Sequence, residues 1–290
     1  MNSSKRAIKP DWLKIKPQSG DYYKSVEKIV SNNSLNTICT SGKCPNRNEC
    51  WNRGTATFLI LGDICTRSCK FCATQTGKPN FPDPNEALKI ARSIKLMGLK
   101  HCVITSVDRD DLPDRGANHW ANVIKTCREL NHNTTIEVLI PDFDGEENLI
   151  DIVLKSSPDI VGHNLESVRS LTPLVRSKAS YDLSLKVLRI ISDKGFKTKS
   201  GLMTGLGEST DELKKAIKDM YDNGCRYITV GQYLQPSKKN LPVIEYTHPQ
   251  IFEELKDFAL KLGYEFAECG PMVRSSYMAE KALKKELIEL

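Results

Sequence analysis

Three cysteines stand in CxxxCxxC spacing within Cys65-Thr-Arg-Ser-Cys69-Lys-Phe-Cys72. Three thiolates on one loop can hold three irons of a cubane cluster, which leaves the fourth iron for a small chelating molecule. The alternative is a zinc ion with its fourth ligand elsewhere, although zinc sites usually pair CxxC knuckles. A second triplet lies upstream, Cys39-x4-Cys44-x5-Cys50, inside CTSGKCPNRNECW. It also leaves a cluster one ligand short. Six of the 10 cysteines therefore fall between positions 39 and 72. Disulfide frameworks belong to small secreted domains, and a chain of 290 residues can bury its own core. The six are read as cluster ligands in a reducing compartment. Cys102, Cys127, Cys225 and Cys269 are read as inert core residues.

A ligand-bearing loop needs elements that hold it. Candidate strands are Thr57–Gly62, His101–Val107, Thr135–Ile140, Asp159–His163, Lys197–Met203 and Arg226–Gln232. Helical periodicity fills the intervals. In the first, Asp83 is the expected N-cap, Pro84 the first helical residue and Glu86 the partner in a capping box. Leu88, Ala91, Ile94 and Met97 mark one face, and Gly98 ends the helix. A later helix follows Ser209-Thr210, with a stripe of Leu213, Ala216, Ile217 and Met220, and Gly224 closes it. Others fit Ala117–Leu130, Glu146–Leu154, Tyr181–Lys194 and Gln250–Leu262. Six βα units imply a parallel sheet with right-handed crossovers. They are too few for the eight-stranded barrel, so a partial (β/α)6 barrel is expected, with a doubly wound sheet as the fallback. Either fold gathers chemistry at the C-terminal ends of the strands. The expected division is an N-terminal extension (1–56), the barrel (57–262) and a C-terminal extension (263–290). No internal repeat or low-complexity tract interrupts it.

The composition is 39% hydrophobic and 27% charged, with a mean hydropathy of −0.39. No stretch approaches the roughly 20 apolar residues of a membrane span. The polar, basic start, Met1–Pro10, argues against a secretory signal, so a cytoplasmic location is expected. The net charge of +6 suits an acidic partner better than a nucleic-acid backbone, which calls for a concentrated basic patch.

CxxxCxFC directly after the first strand of a βα array resembles the radical S-adenosylmethionine enzymes. Gly201-Leu-Met203-Thr-Gly205-Leu-Gly207-Glu208 looks like that superfamily's GxIxGxxE motif, although alone it is also an ordinary strand-to-helix turn. Together with the CX4CX5C triplet and Arg274-Ser275-Ser276-Tyr277-Met278-Ala279, the chain resembles the lipoyl synthase family more narrowly. The match runs through KPDWLK, ATFLILGDICTRSCKFC, TSVDRDDLPD, GHNLESV, GLMTGLGE, GQYLQPS and GPMVRSSYMA.

The resemblance implies two [4Fe-4S] clusters and S-adenosylmethionine. Cys65, Cys69 and Cys72 would hold the cluster that cleaves S-adenosylmethionine. Cys39, Cys44 and Cys50 would hold an auxiliary cluster, with Ser276 as its fourth ligand and Ser275 as the lesser candidate. The plain alternative for both serines is turn formation or helix capping. Phe71 would pack near the adenine, Ser106 and Asp108 would hold the methionyl amine, Asn164 and Glu166 would bond the ribose, and Gly205 would lie at the cofactor. Asp108 could equally cap a loop, and Asn164 and Glu166 the next helix. His163 is read as a packed core residue, and Arg109 with Asp111 as a surface ion pair worth little.

The implied reaction inserts two sulfurs, at C6 and C8 of an octanoyl chain on a lysine of a carrier protein domain, with the auxiliary cluster as sulfur donor. That carrier would be a glycine cleavage H protein or a 2-oxoacid dehydrogenase E2 domain. An electron donor and cluster-assembly proteins are further implied partners. The alternatives are another radical sulfur-insertion or methylthiolation enzyme, or a non-catalytic iron–sulfur or zinc scaffold. The chain departs from the family at Thr40-Ser41, Arg115-Gly116 and Asn240, which puts substrate fit near those loops in question.

Overall fold

The computed structural model describes residues 9–14, 20–53, 55–277 and 279. Seven strands pair in parallel in chain order: β1 (Thr57–Ile60), β2 (His101–Ser106), β3 (Thr135–Leu139), β4 (Ile160–Gly162), β5 (Lys197–Thr204), β6 (Tyr227–Gln232) and β7 (Phe266–Gly270). A two-residue strand, Asn36–Thr37, adds antiparallel to β1 and forms the other edge. Successive strands are joined through α1 (Glu86–Met97), α2 (Ala117–Leu130), α3 (Glu147–Leu154), α4 (Tyr181–Asp193), α5 (Thr210–Asp222) and α6 (Pro249–Leu262). The expected six βα units of a partial barrel are all present. A seventh parallel strand joins them from the segment read as a C-terminal extension.

All four residues of β1 and all six of β6 are buried, as strands covered on both faces must be. Leu213, Ala216, Ile217 and Met220 form the buried stripe of α5, and Ser209 with Glu212 makes a full capping box. Gly98 ends α1 with φ +62°, a conformation glycine adopts without a Cβ penalty.

The start of α1 differs from expectation. The helix begins at Glu86 behind Asn85, with no side-chain cap. The buried Glu86 carboxylate instead accepts from the Leu61 backbone N–H at 2.8 Å and lies 2.6 Å from His119 Nε2. Asp83 closes a local turn onto the Asn85 N–H and pairs with Lys89. The buried face runs through Ala87, Ile90, Ala91, Ile94 and Met97, and it leaves Leu88 37% exposed. Burial of Glu86 against the strand exit turns the helix away from the Leu88 register.

Of the scattered cysteines, Cys102, Cys127 and Cys225 are buried and Cys269 packs half-buried against the core around α6. No helix among the described residues is long and apolar enough to cross a membrane.

Candidate active site

The loop between β1 and α1 carries Cys65, Cys69 and Cys72. It opens with a two-residue strand, Ile64–Cys65, that pairs with Gln75–Thr76 and so brings the loop's ends together. Backbone N–H groups point at its sulfurs. Those of Arg67 and Asp108 donate to Cys65 Sγ at 3.4 and 3.3 Å, and that of Thr74 to Cys72 Sγ at 3.4 Å. Cys69 Sγ lies 3.7 Å from Ser177 Oγ. Burial first, then Asp108, pushes the Cys65 thiol up to about 12. Burial also raises Cys72. Such thiols stay protonated until a cation takes the charge, so loading this site releases protons.

Arg67, between the first two cysteines, is buried and fastens the loop to two neighbours. It donates to both oxygens of Asp110 at 2.8 and 2.9 Å, and to both of Asp142 at 2.7 and 2.8 Å. Its Nη1 is also 3.3 Å from Asp108 Oδ1. Asp110 follows β2 and Asp142 follows β3, so one guanidinium ties three strand-end loops together through bidentate bonds. The Arg67 bonds hold Asp110 down to about 2.

A cavity of about 470 Å³ opens at the C-terminal ends of the strands. Its wall takes in all three loop cysteines and Phe71, Ser106, Asp108, Asn164 and Glu166. Ser106 Oγ is buried with no hydrogen-bond partner in the protein. A ligand in the cavity would satisfy it, because buried polar groups are normally paired. Burial raises Asp108 to about 6, against the opposing pull of Arg67, and burial also raises Glu166. Glu166 sits at φ +71°, an uncommon backbone for a non-glycine residue that costs about 1 kcal/mol or more. Asn164 Nδ2 donates to Glu166 Oε1 at 3.1 Å. Neither residue caps a helix, since the next one, Thr172–Val175, starts behind Leu171.

Two sequence readings change here, and one residue is added. Gly205 is not on the cavity wall. It sits at φ +94°, where a Cβ would lie 2.1 Å from Gln232 Nε2, and its N–H donates to Glu208 Oε1 at 2.5 Å. The motif's glycine and glutamate thus shape a turn. Arg109 is not a surface residue. Its buried guanidinium donates to the Leu61 carbonyl as well as to both oxygens of Asp111. Arg176, absent from the sequence reading, joins the wall. It donates to Ser184 Oγ and the Asn164 carbonyl, and its Nε is buried without a partner. His163 matches its reading. It is buried, lies 3.0 Å from both the Ile140 carbonyl and Ser184 Oγ, and is held down to about 4 by burial.

The second triplet is built by the N-terminal segment. Cys39 lies in the helix Ile38–Ser41 and Cys50 in the helix Arg47–Asn52, with Cys44 on the turn between them. The Cys44 N–H donates to the Cys39 carbonyl at 3.1 Å. All three line a small cavity of about 30 Å³ with Arg274, Ser276 and Tyr277. Ser275 lines the large cavity instead, while Cys44 and Arg274 border both. The serine segment is pinned to the triplet. Asn46 Nδ2 donates to the Met272 carbonyl at 2.6 Å, and Tyr277 Oη to Glu49 Oε1 at 2.9 Å. Gly231 at the end of β6 permits this approach, since a Cβ there would lie 2.0 Å from the Val273 carbonyl. Burial first pushes the Cys50 thiol up to about 12.

Among the described residues, no three His, Cys, Asp or Glu side chains converge as one metal ion requires. A cubane takes one thiolate per iron and accepts a wider spread. With N–H donors on its sulfurs and an orphaned hydroxyl nearby, the Cys65–Cys72 loop fits such a cluster and a chelating ligand.

Residues 59–220 match the model of the Radical SAM superfamily. Lipoyl synthase of Parabacteroides distasonis is 55% identical over 94% of this chain and 97% of that protein. That of Bacteroides thetaiotaomicron is 53% identical over 96% and 99%, and that of Treponema denticola 53% identical over 94% of each. The chain belongs to the lipoyl synthase family. Its radical SAM fold is shared by solved structures of low identity. Methylornithine synthase aligns with a TM-score of 0.56 and 12% identity over 91% of this chain and 93% of its own. Streptococcus suis SuiB bound to S-adenosylmethionine aligns with a TM-score of 0.58 and 13% identity over 77% and 54%. A [4Fe-4S] cluster and S-adenosylmethionine are the cofactors of the superfamily to which this lipoyl synthase relative belongs.

Proposed function

We propose that this chain inserts two sulfur atoms, at C6 and C8, into an octanoyl group carried on a lysine of a carrier protein domain, using two [4Fe-4S] clusters. The observation that carries this reading is the separation of two three-cysteine sites. One faces a roomy cavity, and the other faces a small cavity closed by Ser276. Cys65, Cys69 and Cys72 hold one cluster, and Cys39, Cys44, Cys50 and Ser276 the other. When bound, these groups and S-adenosylmethionine supply a 5′-deoxyadenosyl radical and a source of sulfide, which an unactivated C–H bond requires.

The protein's own residues bind, orient and exclude water. Ser106 and Asp108 face the methionyl end, with Asp108 as acceptor for an amine. Asn164 and Glu166, fixed to each other, offer paired oxygens to ribose hydroxyls. Phe71 supplies an apolar wall that packs with Tyr233 and Leu206. Arg67 keeps the loop at a set distance from the β2 and β3 loops, the positioning that a radical abstraction depends on. A hydroxyl is a harder and weaker ligand than thiolate, so Ser276 would hold an iron less firmly than the three cysteines would hold theirs.

The carrier approaches the large cavity, which Lys43 lines, and Lys70, Lys238 and Lys239, close in sequence to other lining residues, are exposed. Its source is a glycine cleavage H protein or a 2-oxoacid dehydrogenase E2 domain, and an electron donor and cluster-assembly proteins serve the same chain. The cytoplasm, where thiols stay reduced, is the fitting compartment. The N-terminal and C-terminal extensions act together as one module that houses the auxiliary site. Iron and sulfide analysis after anaerobic reconstitution tests the reading. About eight irons per chain is expected for two cubanes, and about four, or zinc in their place, contradicts it.

A further inference from the structure

We infer that Asn240 is a positioning residue for the cluster-bearing loop, holding the Cys72 peptide from across the cavity mouth. The inference rests on the reading of Cys72 as a cluster ligand. Asn240 follows β6, far along the chain from Cys72, yet its Nδ2 donates to the Cys72 carbonyl at 2.7 Å and to the Lys70 carbonyl at 3.3 Å. The amide is itself oriented. Ser237 Oγ donates to Asn240 Oδ1 at 2.7 Å, which turns the NH2 group toward the loop. Gln235 Nε2 donates to the Asn240 carbonyl at 2.8 Å, and the Leu241 N–H donates to the Lys70 carbonyl at 3.1 Å. The 235–241 turn is thus docked on the 70–72 segment by side chain and backbone together.

The consequence falls on a sulfur. The Cys72 carbonyl fixes the peptide plane that leads into residues 73 and 74, and the Thr74 N–H donates to Cys72 Sγ. Hydrogen bonds to cluster sulfurs set reduction potential, and groups that orient ligands matter nearly as much as the ligands. Position 240 is one of the departures from the family pattern. Its side chain is turned inward to the loop rather than outward to a substrate.

The test compares Asn240→Asp, Asn240→Ser and Asn240→His in the full chain. Aspartate keeps the shape but presents a carboxylate to the Cys72 carbonyl, serine is too short to reach, and imidazole restores an N–H donor. In the metal-free protein, amide exchange of the peptide covering 69–74 should accelerate in N240D and N240S and stay at the wild-type rate in N240H. In the reconstituted protein, the potential of the cluster read by low-temperature spectroscopy should fall in N240D and N240S. Iron loss to a chelator should be about tenfold faster, the lower end of the effect of removing an orienting partner. Wild-type exchange, potential and iron retention in N240D and N240S overturn the inference. So does an N240H variant as impaired as N240D, since that would make the role one of packing. The metal-free arm reads the clamp alone, whereas absence of iron from the wild-type loop would count against the cluster reading instead.

Discussion

The two three-cysteine sites are built in opposite ways. Cys65, Cys69 and Cys72 come from one short loop, closed on itself by the Ile64–Gln75 pairing and tied down by the buried Arg67 guanidinium. They face about 470 Å³ of open cavity. Cys39, Cys44 and Cys50 come from two short helices and the turn between them, and residues from the other end of the chain complete the wall of their site. Its cavity is about 30 Å³, and the C-terminal segment brings Arg274, Ser276 and Tyr277 to its wall. A self-contained loop with room before it suits a group that is kept and must meet a small molecule. A site assembled from both chain ends, with a serine hydroxyl beside its thiols, would suit a group held more loosely.

The largest effect belongs to the loop. Replacing Cys65, Cys69 and Cys72 by Ala together should abolish 5′-deoxyadenosine release in an anaerobic dithionite assay. Normal release would erase the distinction between the sites. A smaller effect separates the two serines. Ser276→Ala should cut lipoyl product about tenfold, in line with loss of a group at a metal site, while 5′-deoxyadenosine persists. Ser275→Ala, which borders the other cavity, should leave the iron content of the auxiliary site intact. If S275A emptied that site and S276A did not, the ligand assignment would be reversed.

The smallest effect concerns the cavity mouth. If lysines beside the cavity steer an acidic carrier, they act chiefly on its association rate, and salt screens this over about 10 Å at 0.1 M. Turnover at subsaturating carrier should fall a few-fold as salt rises. Turnover of a short octanoyl-lysine peptide without acidic residues should change much less. Equal salt dependence would remove electrostatic docking from the account.

The same contrast shows what sequence can carry. The Cys65 loop was legible because ligand types, spacing and a preceding strand all lie in one local stretch. The βα alternation was equally local, and so was the glycine stop at Gly98. The expectation failed where a side chain serves a distant partner. Glu86 reads as a capping-box residue, but it accepts from Leu61, 25 positions earlier. Arg67 drew no reading from the sequence, because its partner Asp142 lies 75 positions on. Arg109 reads as surface because its acid neighbours are adjacent in sequence, whereas the Leu61 carbonyl that buries it is not. Strand β7 escaped because five residues, FAECG, carry little pattern apart from the β6 edge they pair with. The serine came from family resemblance alone. The pinning bonds of Asn46 and Tyr277 that bring it to the triplet join opposite ends of the chain.

The central claim is that the two triplets divide the work between making a radical and giving up sulfur. The most direct test replaces Cys39, Cys44 and Cys50 by Ala and measures two products in one anaerobic assay with octanoylated carrier. A parallel check that the variant remains folded is needed, because metal binding couples to folding. The account predicts 5′-deoxyadenosine at a rate near wild type and no lipoyl product. Formation of dihydrolipoyl carrier by this variant would contradict it.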